Sequence, residues 1–189
     1  ALSLEHYDVY DHQPHPPGSP LFWALLRACR WLPGPPATPF LAVNLLLSLA
    51  VLLLLGGMVR RDAGPALAWL VAAAFATCPI FWHHGACSTA YVSECFASTL
   101  VAASALALGA RRLGFVAAGL IFAVAGGLRP NVMVTLAPVF FLGLFAARPN
   151  RREAALALGA AGLGILGWFV PMVLASGGWA RYRLAAAAL

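Results

Sequence analysis

"TPFLAVNLLLSLAVLLLLGGMVRR" (38–61) carries no formal charge from Thr38 to Val59 and then stops on Arg60 and Arg61. A helix rises about 1.5 Å per residue, so a run of this length covers the roughly 30 Å hydrocarbon core of a bilayer. In lipid, every backbone N–H and C=O needs a partner inside the protein, which selects helix over a lone strand. The stretch predicts a membrane-spanning helix over 38–59. The fold then depends on how many spans follow.

Five more apolar segments do, at 64–82, 88–110, 113–128, 130–147 and 153–175. Hydrophobic residues make up 62% of the chain and charged residues 10%, against about 25% charged in soluble domains. The expected fold is all-α: a polytopic transmembrane bundle of about six spans plus a short interfacial helix. That helix is expected in "PLFWALLRACRWL" (20–32), where Arg27 and Arg30 share a face and Trp23, Leu25, Leu26 and Trp31 supply apolar surface. The segment is too short and too charged to span, so it is expected to lie along the interface. The division follows: 1–37 as an external loop with its interfacial helix, 38–176 as the bundle, and 177–189 as the start of a further external segment. The chain begins without Met and reads as a fragment of a larger membrane protein.

The net charge of +6 comes from twelve arginines and no lysine. They sit at the ends of apolar segments, so topology explains them better than nucleic acid, which is not an expected partner. Arg60 and Arg61, Arg111 and Arg112, and Arg148, Arg151 and Arg152 follow the first, third and fifth spans and mark the cytoplasmic side. Residues 1–37, 83–87, 129–131 and the tail after Ser176 then face outward. Gly119, Ala123 and Gly127 recur every four residues, a pattern for close helix packing. Cys29, Cys78, Cys87 and Cys95 show no zinc spacing. They are expected to be small buried apolar residues, with a Cys78–Cys87 disulfide as the alternative.

The chemistry-bearing residues gather on the predicted outer side. "YDVYDHQPHPPGSPLFW" (7–23) holds Asp8, Asp11, His12 and His15 among four prolines. Proline fixes φ and pushes its predecessor toward extended geometry, so this loop is a stiff bracket at the membrane boundary, or else a connector whose charges face water. His12 and His15 form H-x-x-H, leaving a divalent metal as an alternative to the expected absence of a cofactor. Glu94 is costly inside a span and shares a helical stripe with Ser88, Tyr91 and Ser98, which predicts a face toward the bundle interior or a wet cavity, the alternative being a carboxylate that only pairs with a neighbouring helix. Arg129 ends the fourth span against the positive-inside trend, beside Asn131. Its expected partner is Glu94 or a substrate phosphate, which a guanidinium grips with two hydrogen bonds; the alternative is simple snorkelling to the lipid headgroups. His83 and His84 are second-tier candidates, read as capping the end of the second span.

Three elements in order carry a resemblance. "HQPHPPGSPLF" (12–22) resembles the "HPPGYPL" element of GT-C superfamily membrane glycosyltransferases, such as the protein O-mannosyltransferase-like and aminoarabinose-transferase-like proteins. "CPIFWHHGACSTAYVSECF" (78–96) is similar to their "FW … tYvaE" pattern, and "GLRPNVMVTLAPVFF" (127–141) to their "GLRP … lLP" turn. The resemblance implies an inverting transferase in the cytoplasmic membrane with its active site facing outward. Such an enzyme moves a sugar from a polyprenyl-phosphate donor to a glycan, lipid or protein acceptor, with membrane lipids around it. It implies catalytic roles for Asp8, Asp11 and Glu94, and substrate binding by His12, His15, Tyr91, Arg129 and Asn131. Two departures stand out. Ser19 replaces the usual tyrosine, and the loop acid of many relatives would precede Ala1. A transporter or flippase of lipid-linked sugars, or a non-catalytic scaffold, are the alternatives.

Overall fold

The computed structural model describes residues 7–10, 18–87 and 89–187. Among these residues helix is the only extended secondary structure: α1 (Pro20–Ala28), α2 (Thr38–Ala63), α3 (Pro65–Ala76), α4 (Pro79–Ala86), α5 (Tyr91–Gly109), α6 (Phe115–Leu128), α7 (Pro130–Ala146), α8 (Arg151–Ala175) and α9 (Trp179–Ala187). Proline opens many of them, at N1 or N2 of α1, α2, α3, α4 and α7. Its missing N–H is lost without penalty there, and its φ is already helical. Asn150 opens α8 differently: its side chain accepts from Glu153 N–H at 2.9 Å while the Glu153 carboxylate accepts from Asn150 N–H at 2.9 Å, a complete capping box.

Three helices are long and apolar enough to cross a membrane: α2, α5 and α8. The expected second span is not one helix. It breaks between α3 and α4 and bends by 58°. Pro79 explains the break, since it lacks an N–H and holds Cys78 extended (φ −66°, ψ 120°). If the bent pair is one span, the number of crossing helices rises to four. α6 and α7 match the expected fourth and fifth segments in position, but their 14 and 17 residues reach only about 21 and 25 Å. The six expected segments are thus all helical, and six full crossings are more than their lengths establish.

Small residues set the packing. A methyl group added at Gly119 would sit 2.1 Å from the Ala157 carbonyl oxygen, one at Gly164 would sit 2.6 Å from the Ala123 Cβ, and one at Gly127 would sit 3.0 Å from the Trp168 ring. These contacts advance in step along both helices, so α6 and α8 run parallel with backbones nearly touching. The Gly119, Ala123, Gly127 repeat is the seam. The Trp168 indole N–H crosses it to the Ala123 carbonyl at 2.9 Å. Gly143 against Ala105 and Gly109 against Ala146 bring α5 and α7 together in the same parallel sense. Between the two pairs lies a core of Ala97, Val101, Leu108, Phe122, Phe140 and Leu144. Phe122 and Phe140 stack there at 4.7 Å.

The helix directions sort the connections into two ends. At one end Arg111 donates to the Ala147 carbonyl at 2.9 Å and pairs with Glu153 at 2.7 Å, joining the α5–α6 and α7–α8 turns. The start of α2, the ends of α4, α6 and α8, and the start of α5 lie at the other. The α5–α6 and α7–α8 arginine turns thus meet at one end of the bundle.

α1 is shorter than expected, ending at Ala28, and it does more than rest on a surface. Phe22 and Leu26 are buried with Val43, Leu47, Val92 and Leu128, and the Leu21 side chain fills the space that a Cβ on Gly127 would need. Arg27 and Arg30 remain exposed. All four cysteines are free and partly exposed rather than buried, so the disulfide alternative is not realised.

Candidate functional site

Glu94 falls in the first turn of α5, where the partial positive charge of a helix N-terminus stabilises a carboxylate. Arg129 is extended (φ −152°, ψ 97°) and serves both as the C-cap of α6 and the N-cap of α7. Pro130 forces that break and turns the guanidinium across to α5. Arg129 Nε lies 3.5 Å from Glu94 Oε2, with side chains 28% and 45% exposed. The guanidinium carbon stands 5.5 Å from the centre of the Tyr91 ring. Tyr91 is in turn 4.8 Å from the His84 ring, and His84 is 5.4 Å from His83. Five predicted residues thus form a continuous strip at one end of the bundle: His83, His84, Tyr91, Glu94 and Arg129. Asn131, one residue beyond Pro130, is exposed.

The stripe on α5 differs from its expected orientation. Val92, Ser93, Ala97 and Val101 form the buried face, while Tyr91 is 51% exposed and Glu94 stays half open. Burial follows the small and β-branched residues, which allow α7 and α2 to approach. The polar stripe is left at the margin of the bundle, where the pair remains reachable. His83 and His84 lie in the last turn of α4, at the helix end where they were expected.

Asp8 is buried, at 4% exposure. Its carboxylate accepts from Tyr10 N–H at 2.9 Å and pairs with Arg181 of α9 at 3.3 Å. Arg181 also lies 4.5 Å from the centre of the Tyr10 ring. Next to it, Val9 N–H donates to the Ser176 hydroxyl at 3.3 Å. These bonds fasten residues 7–10 to the end of α8 and to α9. Tyr7 packs edge-on against Trp23 at 5.0 Å, and burial pushes its phenol pKa above the ordinary value, with Tyr182 nearby adding to the effect. Gly18 closes the cluster with φ +86°, a conformation glycine adopts readily; a Cβ there would stand 2.7 Å from the Tyr7 hydroxyl. Asp11, His12, His15 and Ser88 lie outside the described residues. Among the described residues, no three His, Cys, Asp or Glu side chains gather as a metal ion would need.

One residue was not anticipated. Asn44 stands in the first apolar run and is fully buried. Its amide nitrogen donates to the carbonyls of Cys87 at 2.8 Å and Thr89 at 3.1 Å, with His84 at 3.5 Å. It therefore ties the α4–α5 connection, and with it the His84–Tyr91 strip, to α2. The signal was present: a lone amide in an otherwise oily run must find partners, because hydrocarbon offers none. Asn44→Ala is expected to orphan these carbonyls and destabilise the protein by about 1–3 kcal/mol. It should also release residues 83–90 to faster amide exchange, while exchange at the Arg111 end stays unchanged. Hydrogen exchange on protein in lipid discs checks this, and uniform exchange across both ends would refute the latch.

No family model, curated protein or solved structure matches this chain. The functional reading rests on the residues and their geometry.

Proposed function

We propose that this chain belongs to a membrane glycosyltransferase that moves a sugar from a polyprenyl-phosphate donor to an acceptor on the outer face of the cytoplasmic membrane. In this reading α6 and α7 also cross the bilayer within the bundle, giving six spans, and the Arg129 end faces outward. The observation that carries it is the Arg129–Glu94 pair beside Tyr91, half exposed at the end of an apolar bundle and opposite the arginine-rich turns. A guanidinium at that level matches the phosphate of a lipid whose tail lies in the membrane.

The chemistry follows from the donor. An acceptor hydroxyl attacks the anomeric carbon from the face opposite the phosphate, so configuration inverts. A carboxylate of the N-terminal segment takes the hydroxyl proton. The bond from the anomeric carbon to the phosphate oxygen breaks, and its electron pair leaves with polyprenyl phosphate. Arg129 neutralises the charge that develops there. Glu94 holds the guanidinium and gives it up, wholly or in part, to the phosphate. No resident cofactor enters the scheme.

A second reading has one observation in its favour. The 58° break between α3 and α4 is a feature that transporters use at their sites, which suits a flippase of lipid-linked sugars. Full-length protein in sealed vesicles, given radiolabelled polyprenyl-phosphate hexose and membrane acceptors, separates the two. Covalent label on an acceptor supports transfer. Movement of the intact lipid across the bilayer without transfer supports the flippase, and neither result leaves a scaffold.

A further inference from the structure

The end of the bundle opposite Arg129 is strongly charged and poorly neutralised. Five arginines belong to its α5–α6 and α7–α8 turns: Arg111, Arg112, Arg148, Arg151 and Arg152. One carboxylate, Glu153, stands among them. It is already engaged, because it accepts from Arg111 at 2.7 Å and from Asn150 N–H at 2.9 Å. Arg111 is held in turn by the Ala147 carbonyl, and its guanidinium carbon lies 5.3 Å from the centre of the Phe115 ring. Arg112, Arg148, Arg151 and Arg152 are exposed, and among the described residues no carboxylate pairs with them.

Local structure does not ask for this charge. Arg111 and Arg148 each follow the C-cap of a helix in the left-handed region, at φ 54° and 49°, where glycine is the usual choice. Arg151 and Arg152 open α8, where the positive end of the helix dipole repels a cation. Setting the orientation of the chain requires only an excess of arginine on one side. Here the arginine is also focused. The Arg111 bond to Ala147 draws the two turns together, and Arg112 and Arg148 flank that bond in sequence. An anion between the turns relieves both the mutual repulsion and the opposition to the dipole.

The adjoining helix ends select the kind of anion. α5 and α8 are long and apolar enough to cross a membrane, so the turns that end one and start the other lie at the membrane boundary. Inward of the arginines, large apolar side chains are open: Leu106 in the last turn of α5, Leu142 and Phe145 in the last two turns of α7, and Leu156 in the second turn of α8. Phe145, three residues before Arg148, is 86% exposed. A band of cations above a band of hydrocarbon complements an amphiphile with an anionic head, whereas a soluble phosphate complements only the first band. We propose that the joined α5–α6 and α7–α8 turns bind an anionic glycerophospholipid. Its phosphate is drawn by the guanidinium groups of Arg112, Arg148, Arg151 and Arg152, and its acyl chains lie on Phe145 and Leu142. The site is at the far end from the Arg129–Glu94 pair and does not depend on sugar transfer.

The test titrates full-length protein in a neutral detergent with phosphatidylglycerol or phosphatidylcholine of the same acyl chains, and counts bound lipid by native mass spectrometry. Phosphatidylglycerol should bind about tenfold more tightly, as expected where several arginines meet an anionic head, and added salt should shrink the difference. Arg112→Gln with Arg148→Gln, or Arg151→Gln with Arg152→Gln, should remove most of that preference. Arg60→Gln with Arg61→Gln, an arginine pair outside the two turns, should keep it. All six side chains are exposed, so each variant should fold, and a denaturation midpoint matched to the parent verifies it. Glycerol 3-phosphate should displace little of the bound lipid. Equal binding of the two lipids, or an equal loss from the Arg60 and Arg61 pair, would overturn the site. Complete displacement by glycerol 3-phosphate would overturn the lipid as its occupant.

Discussion

Gly119→Leu is expected to leave no stable bundle, while Gly159→Ala on the facing helix should unfold at or slightly above the midpoint of the parent protein. The contrast isolates one physical cause. Both positions are helical glycines, and on propensity alone alanine would be favoured at each by about 1 kcal/mol. Nothing lies within 4 Å of a Cβ at Gly159, whereas one at Gly119 would meet the Ala157 carbonyl oxygen at 2.1 Å and the Ala161 nitrogen at 2.9 Å. Backbone atoms cannot rotate aside as a side chain can, so α6 and α8 must separate. Inserting methylenes into a packed core costs typically about 1–3 kcal/mol, and here the displaced wall is a whole helix. Separation would also strip the Trp168 indole of its bond to the Ala123 carbonyl. Gly119→Ala should fall between the two. The measurement is the denaturation midpoint of each variant in the same detergent. A Gly119→Leu midpoint equal to that of Gly159→Ala would refute the close approach of these helices.

The seam also shows which features the sequence could reveal. The Gly119, Ala123, Gly127 spacing announces close packing because period four is a local property of one helix. Proline positions announce helix starts for the same reason, and arginine pairs announce the turns that Arg111, Ala147 and Glu153 join. Long-range pairing is a different matter. Nothing near Asp8 points to Arg181, and nothing near Asn44 points to the carbonyls of Cys87 and Thr89; each bond depends on how separate helices dock. Glu94 and Arg129 are the instructive exception. An acid and a base, each uncomfortable in its own apolar segment, could be matched across 34 intervening residues because lipid leaves each so few other partners. The break at Pro79 was legible as a proline, but its effect was not. A helix can begin at proline after a loop or at a bend within a longer apolar segment, and only the packed structure shows the 58° bend.

Arg129→Ala should reduce sugar transfer by about a hundredfold or more, the usual loss when one charge-stabilising donor is removed from a reaction centre. The fall should appear in kcat, since the phosphate carries more negative charge as the glycosyl bond breaks than in the bound donor. Stability should change little, because the pair is half exposed and such pairs contribute only modestly. A matched denaturation midpoint therefore accompanies the kinetic measurement. Arg129→Lys keeps the charge but loses the planar fork, so it should recover part of the rate. Glu94→Gln tests the other partner. If Glu94 only steers the guanidinium, the amide keeps an acceptor oxygen facing it, and the loss should be smaller than for Arg129→Ala. The double variant should then be no slower than Arg129→Ala, since there is no guanidinium left to steer. Full multiplicative losses would instead give Glu94 a role of its own on the acceptor. Turnover by Arg129→Ala equal to that of the parent would remove the guanidinium from the reaction, and with it the phosphate site on which the transferase reading stands.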